Sequence, residues 1–257
     1  IQKNNIIILE STSPVGTTEK IQSVLEKEGV DISNIFISHC PERVLPGNIM
    51  KELVDNDRIV GGINKKSTIK TVNFYKEFVN GEILATDAKT AEMAKLTENS
   101  FRDVNIAFAN ELSILCDNLD MDVRKLIELA NKHPRVNILN PGPGVGGHCI
   151  AVDPWFIIHK DPENAKLIRT ARELNNYKTD WVIEKIKDKA QKFQEKNNKH
   201  PKIACLGLAF KPDIDDLRES PALHIANELK KFGHSILAVE PNIEKHQEFD
   251  IMNLEDA

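Results

Sequence analysis

A run of about thirty residues with helical spacing constrains the fold of this chain more than any other feature. Asp87 can cap this run, which would make it one long helix. The apolar residues that keep the spacing are Ala91, Ala94, Leu96, Phe101, Val104, Phe108, Leu112 and Leu115. Helices this long usually carry an interface between domains or across a dimer. We therefore expect a central helical section and a homodimer through its helices.

The segments on either side of this run alternate strands with helices. Before it, strands are predicted at 6–10, 35–38, 58–61 and 82–85, helices at 17–28 and 65–79, and a long loop or short helix at 41–57. After it come helices at 123–132 and 162–194, then a strand at 202–208, a helix at 221–232 and a strand at 235–239. Ser220 and Pro221 give the start signal of the last helix, and Gly233 gives its stop.

This order predicts an α/β fold in three parts. They are a partial Rossmann-like parallel sheet at 1–86, the central all-helical section at 87–195, and the start of a second Rossmann-like domain at 202–257. Both ends of the chain are abrupt. Ile6–Leu9 has the composition of a buried parallel strand, which rarely opens a domain, and the last strand–helix–strand unit needs more strands. We therefore expect a fragment of a longer protein.

Composition excludes several classes of function. The formal net charge of −5 argues against a general binder of nucleic acid or of anionic membranes. No run approaches the roughly 18 apolar residues of a membrane span. The cysteines lie far apart, without the paired spacing of zinc ligands, and they are Cys40, Cys116, Cys149 and Cys205. We expect reduced thiols in a cytoplasmic protein and no metal site.

A glycine-rich loop ends in Cys149. The run from Asn140 holds four glycines and two prolines before the cysteine, and glycines let a backbone approach a ligand closely. A cysteine in such a loop is either a small buried residue or a nucleophile, and the flanking glycines and His148 favour the nucleophile. The run formally matches GxGxxG. A dinucleotide loop should leave a strand and open a helix, and Pro141 and Pro143 oppose both.

Other polar residues near predicted strand and helix ends are candidate site residues, and each also has a purely structural interpretation. Asp153 either caps the next helix or orders water and holds a proton near the thiol. Lys95 and Asn99 share one helix face, where a lysine is either solvated or steadies an oxyanion. The loop containing Thr12 and the acid Glu42 both follow strands, at the edge of a sheet where ligands bind. Their hydroxyl and carboxyl groups either serve a ligand or are a helix cap and a solvated surface acid.

The segment 211–220 joins a strand to a helix start and carries mixed charges. Lys211 and Arg218 favour a phosphate group there, since helix N-termini also attract anions. The three aspartates Asp213, Asp215 and Asp216 oppose a free phosphate site and are alternative partners for the two cations. A cysteine hydrolase is disfavoured, because His148 is adjacent to Cys149 in the chain and badly placed as its base.

Five motifs, in the same order along nearly the whole chain, resemble those of the UDP-glucose/GDP-mannose dehydrogenase family. They are Ser-Thr-Ser-Pro-Val-Gly-Thr from residue 11, Pro-Glu-Arg-Val from 41, Ala-Glu-Met-Ala-Lys-Leu-Thr-Glu-Asn from 91, Gly-Val-Gly-Gly-His-Cys from 144 with an acid four residues on, and Leu-Ala-Phe-Lys-Pro-Asp from 208 followed by Arg-Glu-Ser. The form of the cysteine motif is most similar to the branch that acts on UDP-N-acetylhexosamines.

The resemblance implies oxidation of a sugar C6 alcohol to a carboxylate with two NAD⁺. Cys149 would be the nucleophile, forming a thiohemiacetal and then a thioester. The other implied catalytic residues are Lys95 and Asn99 for the oxyanions, Glu42 as base for hydrolysis, and Thr12 and Asp153 for water or a proton. The implied substrate contacts are Arg43, Val44, Lys95, Asn99, Gly146 and Lys211, and the implied cofactor contacts are Thr12, Glu42 and Arg218.

The resemblance leaves three questions open. The family's NAD-binding GxGxxG precedes the residues present here, so we expect the 257 residues alone to be inactive or nearly so. The choice of N-acetylmannosamine over N-acetylglucosamine, N-acetylgalactosamine or glucose as the sugar rests on motif similarity alone. A non-catalytic nucleotide-sugar-binding or dimerisation module on the same scaffold is the alternative of another class.

Overall fold

The computed structural model describes residues 1–44 and 48–257. The chain forms two compact units. Unit 1 comprises Ile1–Asn99 and Trp155–Ala165, and unit 2 comprises Ser100–Pro154 and Lys166–Ala257. Among the described residues, no helix combines the length and the apolar character needed to cross a bilayer.

Unit 1 is built on a four-stranded sheet. Its strands are β1 (Ile6–Leu9), β2 (Phe36–His39), β3 (Arg58–Gly62) and β4 (Ile83–Asp87), in the order β1-β2-β3-β4. The helices between them are α1 (Thr17–Lys27), α2 (Ile49–Asp55) and α3 (Lys65–Tyr75), with a 3₁₀ turn at Ile32–Asn34. The core of this sheet contains Cys40, Val60, Tyr75 and Val79, against which Ile8, Val72 and Ile83 pack.

The predicted α/β class is confirmed, and the sheet departs from an all-parallel one at a single pairing. β1 pairs parallel to β2 and β3 parallel to β4, whereas β2 pairs antiparallel to β3 through Ser38 with Gly62 and His39 with Gly61. The apolar pattern of a short buried strand does not depend on its direction, so the antiparallel pairing was not predictable from that pattern.

The predicted central helices are confirmed. They are α4 (Ala88–Asn118), α5 (Val123–Ala130), α6 (Asp153–Lys160) and α7 (Lys166–Asn197). The Asp87 carboxylate caps the start of α4 as expected, since it accepts hydrogen bonds from the backbone N–H and the hydroxyl of Thr90 at 3.0 and 2.6 Å. Asp122 caps α5 in the same way, through the backbone N–H groups of Arg124 and Lys125.

The C-terminal part of unit 2 is a strand–helix–strand element. β5 (Lys202–Leu206) and β6 (Ser235–Val239) are parallel, and α8 (Pro221–Lys231) connects them. The predicted start and stop signals of α8 are confirmed. The Ser220 hydroxyl accepts a hydrogen bond from the Leu223 N–H, and Gly233 follows the helix with a φ of 86°. A 3₁₀ turn at Leu254–Asp256 lies near the end of the chain.

Candidate active site

In unit 1, the loop after β1 is held by a buried carboxylate. Glu92 of α4 is fully buried, and it accepts hydrogen bonds from the N–H of Gly16 at 2.6 Å and from the N–H and hydroxyl of Thr18 at 2.7 Å each. Gly16 is the N-cap of α1 and Thr18 lies in its first turn, so Glu92 neutralises the positive end of that helix. The half-buried Thr12 lies in the loop that Glu92 holds to α4.

The loop after β2 lies beside the loop after β1. The Glu42 N–H donates to the Glu10 carbonyl at 3.0 Å, and the Cys40 N–H donates to the Leu9 carbonyl at the same distance. The Glu42 carboxylate accepts hydrogen bonds from the N–H groups of Arg43 and Val44 at 2.6 and 2.8 Å. These two hydrogen bonds hold the Glu42 carboxylate in place at the sheet edge.

Helix α4, which contains Glu92, also carries the predicted pair Lys95 and Asn99. Lys95 is half-buried and Asn99 is 5% exposed. Arg43 forms an ion pair of 2.8 Å with Glu98, which is the neighbour of Asn99 on α4. Unit 1 therefore brings together six predicted site residues on two adjacent loops and one helix. They are Thr12, Glu42, Arg43, Val44, Lys95 and Asn99.

Unit 2 contains the other five predicted residues, and its centre is the loop that ends in Cys149. The loop follows α5 and an irregular segment, and α6 begins at Asp153, so a strand–loop–helix dinucleotide motif is not formed here. Cys149 is exposed, and its carbonyl accepts hydrogen bonds from the Val152 and Asp153 N–H groups at 3.0 and 2.8 Å. Asp153 is 4% exposed at the start of α6, four residues after the thiol.

The glycines let the cysteine loop lie directly against the segment 208–220. A Cβ on Gly146 would lie 2.4 Å from the Glu219 carbonyl oxygen, and one on Gly147 would lie 2.8 Å from the Phe210 ring. Gly147 also has a φ of +81°, which favours glycine. The Gly147 N–H donates to the Arg218 carbonyl at 3.2 Å. The loop and the segment that carries Lys211 and Arg218 therefore form one surface.

The charges of this segment are arranged in pairs rather than as a cluster of free cations. The Asp216 carboxylate accepts from Arg218 Nε at 2.9 Å and from Arg218 Nη2 at 2.6 Å. These hydrogen bonds lower the pKa of Asp216 to about 2. The same contacts raise the pKa of Arg218, and attraction to Cys149 adds to the rise. Lys211 is exposed in the loop after β5.

A cleft with a volume of about 1000 Å³ opens beside Lys211 in unit 2. Its lining includes Gly207, Phe210, Glu240 and Asn242, at the carboxyl ends of β5 and β6. The Glu240 carboxylate accepts hydrogen bonds from the Leu208 and Ala209 N–H groups at 2.8 and 2.9 Å, which fixes the turn after β5. The carboxyl edge of a parallel sheet is the usual ligand site of such folds.

Sequence reasoning missed the buried charges that hold these loops. Glu92 of unit 1 and the ion pair of Asp103 with Arg172 in unit 2 are each 0% exposed. All three lie on long helices, where a charged residue is ordinarily solvated. A usable signal was the position of Glu92 within the motif 91–99, three residues before Lys95 and thus on the same helix face.

Comparison with known proteins gives three matches to one family, in chain order. Residues 1–79 match the NAD binding domain of the UDP-glucose/GDP-mannose dehydrogenase family, residues 89–177 its central domain, and residues 204–256 its UDP binding domain. The chain belongs to this family. The resemblance seen in the five sequence motifs is thereby confirmed.

The relatives agree with this assignment. The UDP-N-acetyl-D-mannosamine dehydrogenase of Campylobacter jejuni is 60% identical over 95% of this chain and 61% of its own length. The NDP-N-acetyl-D-galactosaminuronic acid dehydrogenase of Ralstonia nicotianae is 53% identical over 95% of the chain and 59% of its own length. The chain thus spans about three fifths of the curated relatives it matches.

A solved structure confirms the fold class. The UDP-N-acetyl-mannosamine dehydrogenase Cap5O from S. aureus superposes with a TM-score of 0.86 at 47% identity, over 97% of this chain and 59% of that one. The predicted Rossmann-like organisation is therefore shared with a dehydrogenase of known structure.

Proposed function

We propose that this chain carries the catalytic residues of an NAD-dependent oxidation that converts the C6 alcohol of a UDP-N-acetylhexosamine into a carboxylate. The observation that carries the proposal is the exposed Cys149, held on a glycine-rich loop against a segment that carries Arg218. The names of the relatives support UDP-N-acetyl-D-mannosamine as the sugar, as does the form of the cysteine motif.

Cys149 acts as a covalent nucleophile. Its thiolate adds to the C6 aldehyde left by the first oxidation, giving a thiohemiacetal whose carbon can release a second hydride. That release, with loss of the hydroxyl proton, gives a thioester, and water then displaces the thiolate to give the carboxylate. When bound, NAD⁺ accepts the hydride in each oxidation, so two are reduced per sugar.

The other residues serve charge and proton transfer. Lys95 and Asn99 stabilise the oxyanions of the tetrahedral species, because a cation and an amide donor on one helix face can reach the same oxygen. Glu42, fixed at the sheet edge by two N–H groups, is the base that activates water for thioester hydrolysis. Thr12 and Asp153 position water or relay a proton.

The UDP-sugar and NAD are held by different sets of residues. Lys211 and the cleft at the carboxyl ends of β5 and β6 hold the nucleotide of the UDP-sugar, and Arg43, Val44 and Gly146 contact its sugar side. The N–H groups of Gly16 and Thr18 at the start of α1 are bonded to Glu92, so these two are not offered to a phosphate. The adjacent loops of Thr12 and Glu42 fit the part of NAD that approaches the sugar, and Arg218 completes the cofactor contacts.

The three-part organisation accompanies this function. Residues 1–86 form part of the NAD-binding domain, 87–195 the central domain and 202–257 part of the UDP-sugar domain, as the family matches support. The partner is a second copy of the chain. Phe101, Phe108 and Leu115 are 68, 51 and 48% exposed and recur every seven residues on α4, which forms an apolar stripe suited to a helix of another subunit.

Turnover of matched UDP-sugars by the full-length protein tests the function, and every variant assayed for turnover is made in the full-length protein. We expect UDP-N-acetyl-D-mannosamine to give two NADH per sugar and a kcat/KM at least about tenfold above those of UDP-N-acetylglucosamine, UDP-N-acetylgalactosamine and UDP-glucose. NADH absorbance and product mass are measured together. A different preferred sugar would contradict the proposed substrate but not the proposed reaction. One NADH per sugar would contradict the four-electron oxidation.

A further inference from the structure

The two ends of the cysteine loop are joined through the interior of unit 2 by one chain of hydrogen bonds. At the first end, the Gly142 N–H donates to Asn110 Oδ1 at 2.9 Å, and Asn110 Nδ2 donates to Asn175 Oδ1 at 2.8 Å. Asn175 Nδ2 donates to Asp103 Oδ1 at 2.7 Å. Arg172 Nη1 donates to the same oxygen at 2.6 Å and to the Ile150 carbonyl, at the second end of the loop, at 3.3 Å.

The four side chains of this chain of bonds are buried between two helices. Asp103 and Asn110 are seven residues apart on α4, and Arg172 and Asn175 are three apart on α7, so each pair shares a helix face. Their exposures are 0% except for 1% at Asn175. Each asparagine accepts with its oxygen and donates with its nitrogen, so both polar atoms of each side-chain amide are hydrogen-bonded.

Stability alone does not account for such a network. Burial raises the pKa of the Asp103 carboxyl, and the Arg172 guanidinium opposes this rise. Apolar residues of similar volume often replace a buried ion pair without loss of stability. What apolar residues cannot do is bind the Gly142 N–H and the Ile150 carbonyl, which lie on either side of Cys149 in the chain.

A further contact from α7 holds the same loop. The Thr179 hydroxyl donates to the Pro143 carbonyl at 2.9 Å, next to the Asn110 contact. On its outer side, the loop is held by the Gly147 N–H bond to the Arg218 carbonyl. The titratable groups of the loop and of the helix start after it are His148, Cys149 and Asp153. Those of the segment 208–220 are Lys211, Asp213, Asp215, Asp216, Arg218 and Glu219. Attraction to Cys149 contributes to the raised pKa of Arg218, after the larger effect of Asp216.

We propose that Asn110, Asn175, Asp103, Arg172 and Thr179 are positioning residues that hold the cysteine loop in one conformation against the segment that carries Arg218, and thereby fix where the Cys149 thiol is presented. The role as positioning residues for catalysis rests on the proposed function of Cys149 as nucleophile. The position of the thiol does not rest on that function, and it can be measured without cofactor or sugar.

The test is the rate of alkylation of Cys149 by iodoacetamide at pH 7 and pH 9.5, resolved from the other thiols by peptide mass spectrometry. Thr179→Val is isosteric and lacks the hydroxyl, and Asn110→Leu removes the link to Gly142. Both are expected to slow alkylation at pH 7 at least about threefold, because a thiol released from Arg218 is less ionised there. At pH 9.5, where an ordinary thiol is ionised, the difference should fall below about 1.5-fold.

Two variants serve as matched controls. Thr179→Ser keeps the hydroxyl and should restore the parent rate. Ser113→Ala removes the half-buried hydrogen bond of 2.7 Å that Lys178 donates to Ser113, which also joins α4 to α7 but does not contact the loop, and should alkylate at the parent rate. Circular dichroism confirms that each variant is folded, and Thr179→Val carries the test if Asn110→Leu does not fold.

Three results would overturn the proposal. They are parent rates in folded Thr179→Val protein, equal slowing at both pH values, and slowing in Ser113→Ala of the same size. Failure of the proposed function gives a different pattern, in which Cys149→Ser protein retains turnover whatever the alkylation rates are.

Discussion

Cys149→Ser protein is expected to lose at least about 10³-fold in kcat for the complete oxidation of the UDP-sugar, while its Kd for the UDP-sugar changes less than about threefold. A serine hydroxyl stays protonated at neutral pH, so it does not add to the aldehyde as a thiolate does. Cys149 is not among the residues that line the nucleotide cleft beside Lys211, so binding should persist. NADH absorbance measures the first quantity, and calorimetric titration with UDP-N-acetyl-D-mannosamine measures the second.

A matched control is available in the same unit. Cys205→Ser changes a partly buried thiol of β5 and should keep kcat within about twofold, since this residue packs against the C-terminal core. Unchanged turnover in Cys149→Ser protein would contradict the nucleophile. It would favour the alternative of a nucleotide-sugar-binding module, in which the thiol has no chemical role.

The second large effect concerns stability. Arg172→Met should lower the free energy of unfolding by about 3–5 kcal/mol at pH 7, because it leaves the fully buried Asp103 without its cationic partner. The double variant Arg172→Met with Asp103→Leu should recover most of this loss, since it removes the unpaired charge as well. Urea unfolding followed by circular dichroism gives both values, and Arg102→Met, an exposed arginine of α4, is the control.

The loss from Arg172→Met should also depend on pH in a defined direction. Burial already raises the pKa of Asp103, and removal of the guanidinium raises it further. The folded state of the variant then binds a proton that the unfolded state has released, so stability falls as pH rises above the ordinary range of a carboxyl. The deficit should therefore be smaller at pH 4 than at pH 7. An equal deficit at both values would show that packing, not the charge, is responsible.

Much of the fold followed from local signals in the sequence. Asp87 before a long helical pattern and Ser220 before Pro221 each gave a helix start that the structure confirms, because a cap depends only on a few neighbouring residues. The direction of β3 was not predictable. Its pairing with β2 is decided by tertiary contacts, and a strand of five residues carries the same pattern in either direction.

The candidate site was predictable only in part, for a similar reason. Residues at strand ends and in glycine-rich loops could be singled out, because the chemistry of their side chains and the backbone geometry are visible in sequence. The groups that hold those loops could not. Glu92, Asp103 and Arg172 each become understandable only once their partners, 69 to 76 residues away in the chain, are known. In the sequence pattern of a helix, a charged residue that will be buried cannot be distinguished from one that will be solvated.

The most direct test of the central claim is to trap the sugar on Cys149. Glu42→Gln keeps an oxygen for the N–H groups of Arg43 and Val44 but removes the base, so the thioester should accumulate. After a single turnover with UDP-N-acetyl-D-mannosamine and NAD⁺, quenching with acid and peptide mass spectrometry should find the uronoyl adduct on the peptide that contains Cys149. Release of two NADH per sugar with that peptide unmodified at every quench time would contradict the account.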